Sequence, residues 1–166
     1  MNKKVIPMIK ELYPYLIIIV LVLLIRTFLV TPIKVSGHSM DNTLQNREIL
    51  ILKKYDKNIK RFDIVVIDIN GEKIIKRVIG LPGDKILYKN NKLYINGTYY
   101  KEPFLAKGTI TEDYKLDSTI PKGYYFVLGD NRANSADSRI IGLISKKEIS
   151  GKTDFALFPF NRFGKI

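Results

Sequence analysis

The sequence predicts a mostly β body behind a single N-terminal transmembrane helix. Three observations carry that expectation. Residues Leu12 to Val30 are nearly all apolar, with Ile17-Ile18-Ile19-Val20-Leu21-Val22-Leu23-Leu24-Ile25 at their centre. From Pro32 onward the chain turns into short branched or alternating runs separated by Gly, Pro and Asn, the pattern of strands and turns. The chain has 166 residues, the size of one domain, and shows no repeat or low-complexity tract.

Residues 1–11 are polar and basic, with Lys3, Lys4 and Lys10. Positive charge is retained on the cytoplasmic side of membranes, so this flank predicts an N-terminus inside. Residues 12–32 make the transmembrane anchor. About 20 apolar residues span a bilayer. Arg26 lies close enough to the far end to snorkel to the headgroups, and Tyr13 and Tyr15 fall where an aromatic belt lies. A cleaved signal peptide would have a shorter apolar core and a small-x-small cleavage site. Thr27-Phe28-Leu29-Val30-Thr31-Pro32 offers no such site. A helix buried in a soluble core would show a polar face, and this run shows none.

Residues 33–166 then form the extracytoplasmic domain. Strands are expected at Ile33–Val35, Ile49–Leu52, Phe62–Ile67, Ile74–Ile79, Tyr124–Leu128 and Phe155–Phe158. Lys85–Tyr88 and Leu93–Ile95 flank Asn90-Asn91 as a hairpin. Ser145 with Glu148 has the spacing of a short capping box. The polar, mixed residues between Gly97 and Pro121 read as a surface loop or small excursion.

Composition narrows the chemistry. There is no Cys and one His, His38. A cysteine nucleophile and a disulfide are excluded, and a structural zinc site lacks its usual ligands. No metal or cofactor is expected. Twenty-eight Lys and Arg against 16 Asp and Glu give a net charge of +12, which suits a polyanionic partner. The anchor favours anionic lipid, where each basic residue near the surface contributes about 1 kcal/mol, over nucleic acid.

The stretch Ile74-Ile75-Lys76-Arg77-Val78-Ile79 has two readings. In a strand, Ile74, Lys76 and Val78 share one face. A lysine between branched apolar neighbours loses water, which disfavours its charged form and suits it to act as a general base. Alternatively it is an edge-strand lysine that snorkels to solvent. A Ser-His-Asp triad would have to use His38. The best candidate nucleophile, Ser39, is its immediate neighbour, and in an extended segment the two side chains point to opposite faces. A lysine is the remaining partner for an activated serine.

Four boxes occur in order behind the anchor. After the anchor come Gly37-His38-Ser39-Met40-Asp41-Asn42-Thr43-Leu44 and Phe62-Asp63-Ile64-Val65-Val66. Lys76-Arg77-Val78-Ile79-Gly80-Leu81-Pro82-Gly83-Asp84 follows. The last is Gly129-Asp130-Asn131-Arg132-Ala133-Asn134-Ser135-Ala136-Asp137-Ser138-Arg139, ending at Gly142. Read alone, the last box is a turn rich in side-chain-to-backbone bonds, braced by an Asp137–Arg139 ion pair. Together the boxes resemble the type I signal peptidases, and the short length and single anchor resemble the Gram-positive bacterial form.

The resemblance implies a fold of packed antiparallel sheets with an apolar surface near the active site that meets the membrane. It implies Ser39 as nucleophile, Lys76 as general base and Ser135 as the serine that orients the lysine. Asp137 and Arg139 match a bracing ion pair, and Asp130 and Arg132 a supporting turn. It also implies a Ser-Lys acyl-enzyme mechanism acting on secretory preproteins, cut after small residues in an Ala-x-Ala pattern, with a monomer expected. Two positions depart from the family. Asn42 stands where most members have proline. Gly37 stands where some carry a serine that helps hold the oxyanion, which leaves the Ser39 backbone N–H as the main donor. Two other readings stand beside this one. A self-cleaving repressor-type Ser-Lys protease needs an internal Ala-Gly site, and the chain has none. A catalytically idle basic membrane-tethered module would fail to form an acyl adduct with a penem-type inhibitor.

Overall fold

The computed structural model describes residues 5–166, with side chains from Glu11 onward. Lys3, Lys4 and the side chain of Lys10, on which the expected orientation rests, lie outside the described residues. Helix α1 (Val5–Leu24) accommodates Pro14 and passes into a π-helical stretch, Ile25–Leu29. Glu11–Leu29 is long and apolar enough to cross a membrane, with mean hydropathy 2.4 and none of it buried. Helical structure stops three residues before the expected end of the span. Val30 is already extended (φ −139°, ψ 144°) and opens strand β1 (Val30–Lys34). Branched Val30 and Thr31, with Thr31 immediately before Pro32, favour that switch, because a pre-proline residue is pushed out of the helical region.

The remaining chain is almost all β. Strands β2 (Ile49–Lys53), β3 (Ile64–Ile69), β4 (Glu72–Gly80), β5 (Ile86–Lys89), β6 (Lys92–Ile95) and β7 (Thr98–Tyr100) follow in order. After them come β8 (Tyr114–Lys115), β9 (Tyr124–Leu128), a four-residue helix α2 (Ser138–Ile141), β10 (Ile144–Ser145), β11 (Ile149–Thr153), β12 (Phe155–Phe158) and β13 (Gly164–Lys165). Nine strands form one antiparallel sheet in the order β10-β9-β4-β3-β11-β2-β12-β13, with β1 paired to β2. The second sheet is β7-β6-β5-β8.

Most expected strands are present, and the Asn90-Asn91 hairpin turns with both residues at positive φ (51° and 60°), as a primed two-residue turn requires. One expectation is made specific and one changes. The polar tract between Gly97 and Pro121 is an excursion that supplies β7 and β8 to the smaller sheet. Ser145 and Glu148 open no helix. The Glu148 carboxylate accepts from Ser145 N–H at 2.6 Å and closes the turn between β10 and β11. The capping-box chemistry of a side chain satisfying a nearby N–H is the same, but the strands on either side decide the backbone.

Three buried clusters make the core. Val35, Met40, Leu44, Leu50, Leu52 and Ile75 belong to one. Val65, Ile67, Val78, Val127 and Ile144 belong to the second. Ile79, Ile86, Tyr88, Leu93 and Phe126 join the two sheets in the third. Strand β4 contributes to all three, so its residues are fixed on both faces.

Candidate active site

Strand β4 lies between β3 and β9, with Lys76 opposite Val65 and Arg77 opposite Leu128. Lys76 is 3% exposed. Its Nζ donates to Ser39 Oγ at 2.7 Å. Among the described residues no carboxylate forms an ion pair with it. Burial therefore dominates and lowers the Lys76 pKa, against smaller opposing contributions from Asp137 and Asp130. The solvent-snorkelling reading of this lysine does not hold.

Ser39 sits in a tight turn rather than an extended segment. Asp41 N–H donates to His38 C=O at 3.2 Å, and Thr43 and Leu44 N–H donate to Met40 C=O at 3.1 and 2.8 Å. Met40 and Leu44 anchor the turn in the core. Asn42 takes φ 79°, a conformation closed to proline, whose ring holds φ near −65°, but open to asparagine. His38 makes no hydrogen bond to the Ser39 or Lys76 side chain. Its Nδ1 is 3.0 Å from Asp41 Oδ2, and the pair is exposed.

The loop after β9 cradles this turn. Asn131 N–H donates to Ser39 C=O at 3.0 Å, and Asn131 Nδ2 donates to His38 C=O at 3.0 Å. Gly129 is pinned at both ends. Its N–H donates to Asp137 Oδ2 at 3.1 Å and its C=O accepts from Arg132 Nε at 3.0 Å. A Cβ on Gly129 would lie 2.3 Å from Ser135 Oγ and 2.4 Å from Ser39 C=O, so only glycine lets the loop approach this closely. Ser135 thus stands beside the Ser39 turn, with its buried Oγ near the Asp137 carboxylate and not hydrogen-bonded to Lys76. The contact to Lys76 implied by the family resemblance is not made in this geometry.

Three buried Arg–carboxylate pairs hold the loop. Arg139 binds Asp137 through Nε and Nη2, both at 2.9 Å, as expected. Burial opposes ionisation of Asp137, yet the bonds from Arg139 and Gly129 hold its pKa below the usual carboxylate range. Asp130 and Arg132 do lie in one turn, with Arg132 N–H donating to Asp130 C=O at 3.1 Å. Their side chains diverge, however. Asp130 takes a bidentate fork from Arg77, with Nη2 at 2.7 Å and Nε at 2.9 Å, and also accepts from the Thr43 hydroxyl. Arg132 instead pairs with Glu102 at 2.6 Å. Arg77, Thr43, Asn131, Glu102 and Tyr88 were not singled out from sequence as site residues. Their partners lie 30 to 93 positions away where the separation is largest, and no local pattern reports such pairings.

A buried amine touching a serine hydroxyl, held by a glycine-tight loop, is the arrangement of a Ser-Lys hydrolase. The sequence profile of the family described as Signal peptidase, peptidase S26, matches residues 8–158, and the chain belongs to that family. Signal peptidase I of Bacillus amyloliquefaciens is 44% identical over 163 residues, covering 90% of this chain and 88% of the relative. Signal peptidase I of Streptococcus pneumoniae is 39% identical over 195 residues, covering 93% and 95%. A crystal structure of a signal peptidase I from Enterococcus faecalis superposes with TM-score 0.52 at 37% identity, over 57% of this chain and 96% of that one.

Proposed function

We propose that the protein is a membrane-anchored serine endopeptidase that removes N-terminal signal peptides from secretory preproteins, with Ser39 as nucleophile and Lys76 as general base. The observation that carries this reading is the 2.7 Å contact between Ser39 Oγ and a buried lysine that has no carboxylate partner among the described residues. When Lys76 is neutral the bond reverses and the amine accepts the hydroxyl proton. Ser39 Oγ attacks the scissile carbonyl and Lys76 becomes an ammonium. The C–N bond breaks, the departing amine takes the proton from Lys76, and an ester remains on Ser39. Water then gives its proton to Lys76 and attacks the ester, and the proton returns to Ser39 Oγ as the signal peptide leaves.

The Ser39 backbone N–H has no acceptor among the described residues, which suits it to bind the oxyanion. Ser135 remains the candidate to orient Lys76, as the family resemblance implies. Asp130, Arg132, Asp137 and Arg139 support the loop. The substrate lies extended against Ile33–Gly37, an added-strand mode of recognition, and small residues precede the cut. The N-terminus is cytoplasmic, and the catalytic domain lies outside, close to anionic lipid.

The test is incubation of the full chain, in detergent or liposomes, with a preprotein, followed by mass measurement of the products. One cut after a small residue is expected, and none with Ser39→Ala. Undiminished cleavage by Ser39→Ala would reject Ser39 as the nucleophile.

A further inference from the structure

We propose that Glu102, with Tyr88 and Thr111, positions Ser39 by locking Arg132, so that the smaller sheet is a working part of the active site. The inference rests on the reading of Ser39 and Lys76 as the catalytic pair. Its starting point is the way Arg132 spends its donors. The side chain is 1% exposed. Nη2 donates to Glu102 Oε1 at 2.6 Å, and Nη1 donates to Thr111 Oγ1 at 2.9 Å and Tyr88 Oη at 3.1 Å. These partners all come from the smaller sheet or its connections: Tyr88 from β5, Glu102 from after β7, and Thr111 from before β8. The remaining nitrogen, Nε, donates to Gly129 C=O at 3.0 Å.

Glu102 is the only carboxylate paired with Arg132 among the described residues, and its side chain is 8% exposed. A guanidinium buried without its counter-ion is strongly unfavourable. Loss of the Glu102 charge therefore draws Arg132 toward water or toward another acceptor, and Gly129 C=O loses its donor. Tyr88 closes the triangle by donating to Glu102 Oε1 at 2.8 Å. Burial pushes the Tyr88 phenol upward, so it stays protonated and remains a donor.

The route from Arg132 to the chemistry is one residue long. Gly129 already packs where a single added carbon would meet Ser39 C=O and Ser135 Oγ. The next peptides carry the bonds from Asn131 to His38 and Ser39. A rotation of the Gly129 peptide therefore displaces Ser39 relative to Lys76. Glu102 touches neither of them and acts through Arg132, as a positioning residue.

Glu102→Gln keeps the shape and one acceptor and removes the charge. The full chain is assayed in detergent on a preprotein, with kcat referred to active sites counted by acylation of Ser39, KM fitted separately, and the thermal midpoint recorded. A fall in kcat of about 10- to 100-fold is expected, the scale of a misplaced reacting group, with KM within about twofold. Glu102→Asp retains the charge and should lie between Glu102→Gln and the parent in kcat. A lowered thermal midpoint with kcat per active site unchanged would show a purely structural role and overturn the proposal. If Glu102→Gln does not fold, Tyr88→Phe decides, since it removes one hydroxyl. A three- to tenfold fall in kcat, roughly one buried hydrogen bond, supports the proposal, and no change overturns it. Survival of cleavage in Ser39→Ala would sink the underlying dyad reading instead, whatever Glu102→Gln does.

Discussion

Lys76 and Arg77 are neighbours on one strand, both cationic residues and both buried, at 3% and 7% exposure. They point to opposite faces and meet opposite treatment. Arg77 is given everything a buried cation needs. It has a bidentate carboxylate in Asp130, a bond from Nη1 to Phe62 C=O at 2.9 Å, and the Phe104 ring 4.1 Å from its Cζ. Lys76 is given a serine hydroxyl and apolar neighbours. The difference shows how one strand gives one cation a carboxylate partner and leaves the next to a hydroxyl. A buried positive charge persists where a partner compensates its lost hydration, and it is driven toward neutrality where none does. An arginine cannot take the second course, because it does not deprotonate in proteins.

The sharpest way to break that comparison is to place Arg77's chemistry at position 76. Lys76→Arg should be as inactive as Ser39→Ala, a loss on the order of 10⁴-fold or more in kcat/KM. Near-normal cleavage by this variant would mean that another group is the base. The next effect belongs to the other face. Arg77→Met leaves Asp130 buried without its counter-charge and should lower stability by about 3–5 kcal/mol. Adding Asp130→Asn should recover much of that loss in urea unfolding, and no recovery would mean that the pair is not the source.

The smallest effect has the opposite sign. The Lys76 pKa is lowered in the folded state, so between that value and 10.5 the unfolded chain binds more protons than the folded one. Stability rises with pH across that window. Lys76→Met should therefore be inactive yet more stable than the parent at neutral pH, with the advantage shrinking as pH approaches 10.5. Equal midpoints at both pH values would show that Lys76 carries no charge burden. Activity of the parent should likewise climb with pH at values below the 10.5 of a free lysine.

What could be read from sequence followed the range of the interaction. The apolar run and the alternation around Lys76 are local patterns, and both survive in the structure. The Asp137–Arg139 pair spans two positions and is equally legible. Asp130 with Arg77 and Arg132 with Glu102 are joined only by the fold. Glu102 in particular stands in a polar tract that has no periodicity, and only the pairing of β6 with β7 brings it under Arg132. Ser145 and Glu148 failed differently. Their side-chain chemistry was legible, but it serves a helix start and a strand turn equally well. Asn42 shows the converse, since a departure from the family pattern is matched by a backbone angle that the family's proline could not adopt.

The junction at Leu29 has a mechanical consequence. The apolar helix runs into β1 without intervening loop, and the body grips its last turn. Lys54 N–H donates to Leu29 C=O at 2.9 Å, and Lys54 Nζ donates to Thr27 C=O at 3.0 Å. Both bonds tie Lys54, just after β2, to the end of the helix. The residues from Val30 to Ser39 run through strand β1 and into the turn that holds Ser39. Ser39 thus stands ten residues beyond Leu29, where the apolar helical run ends.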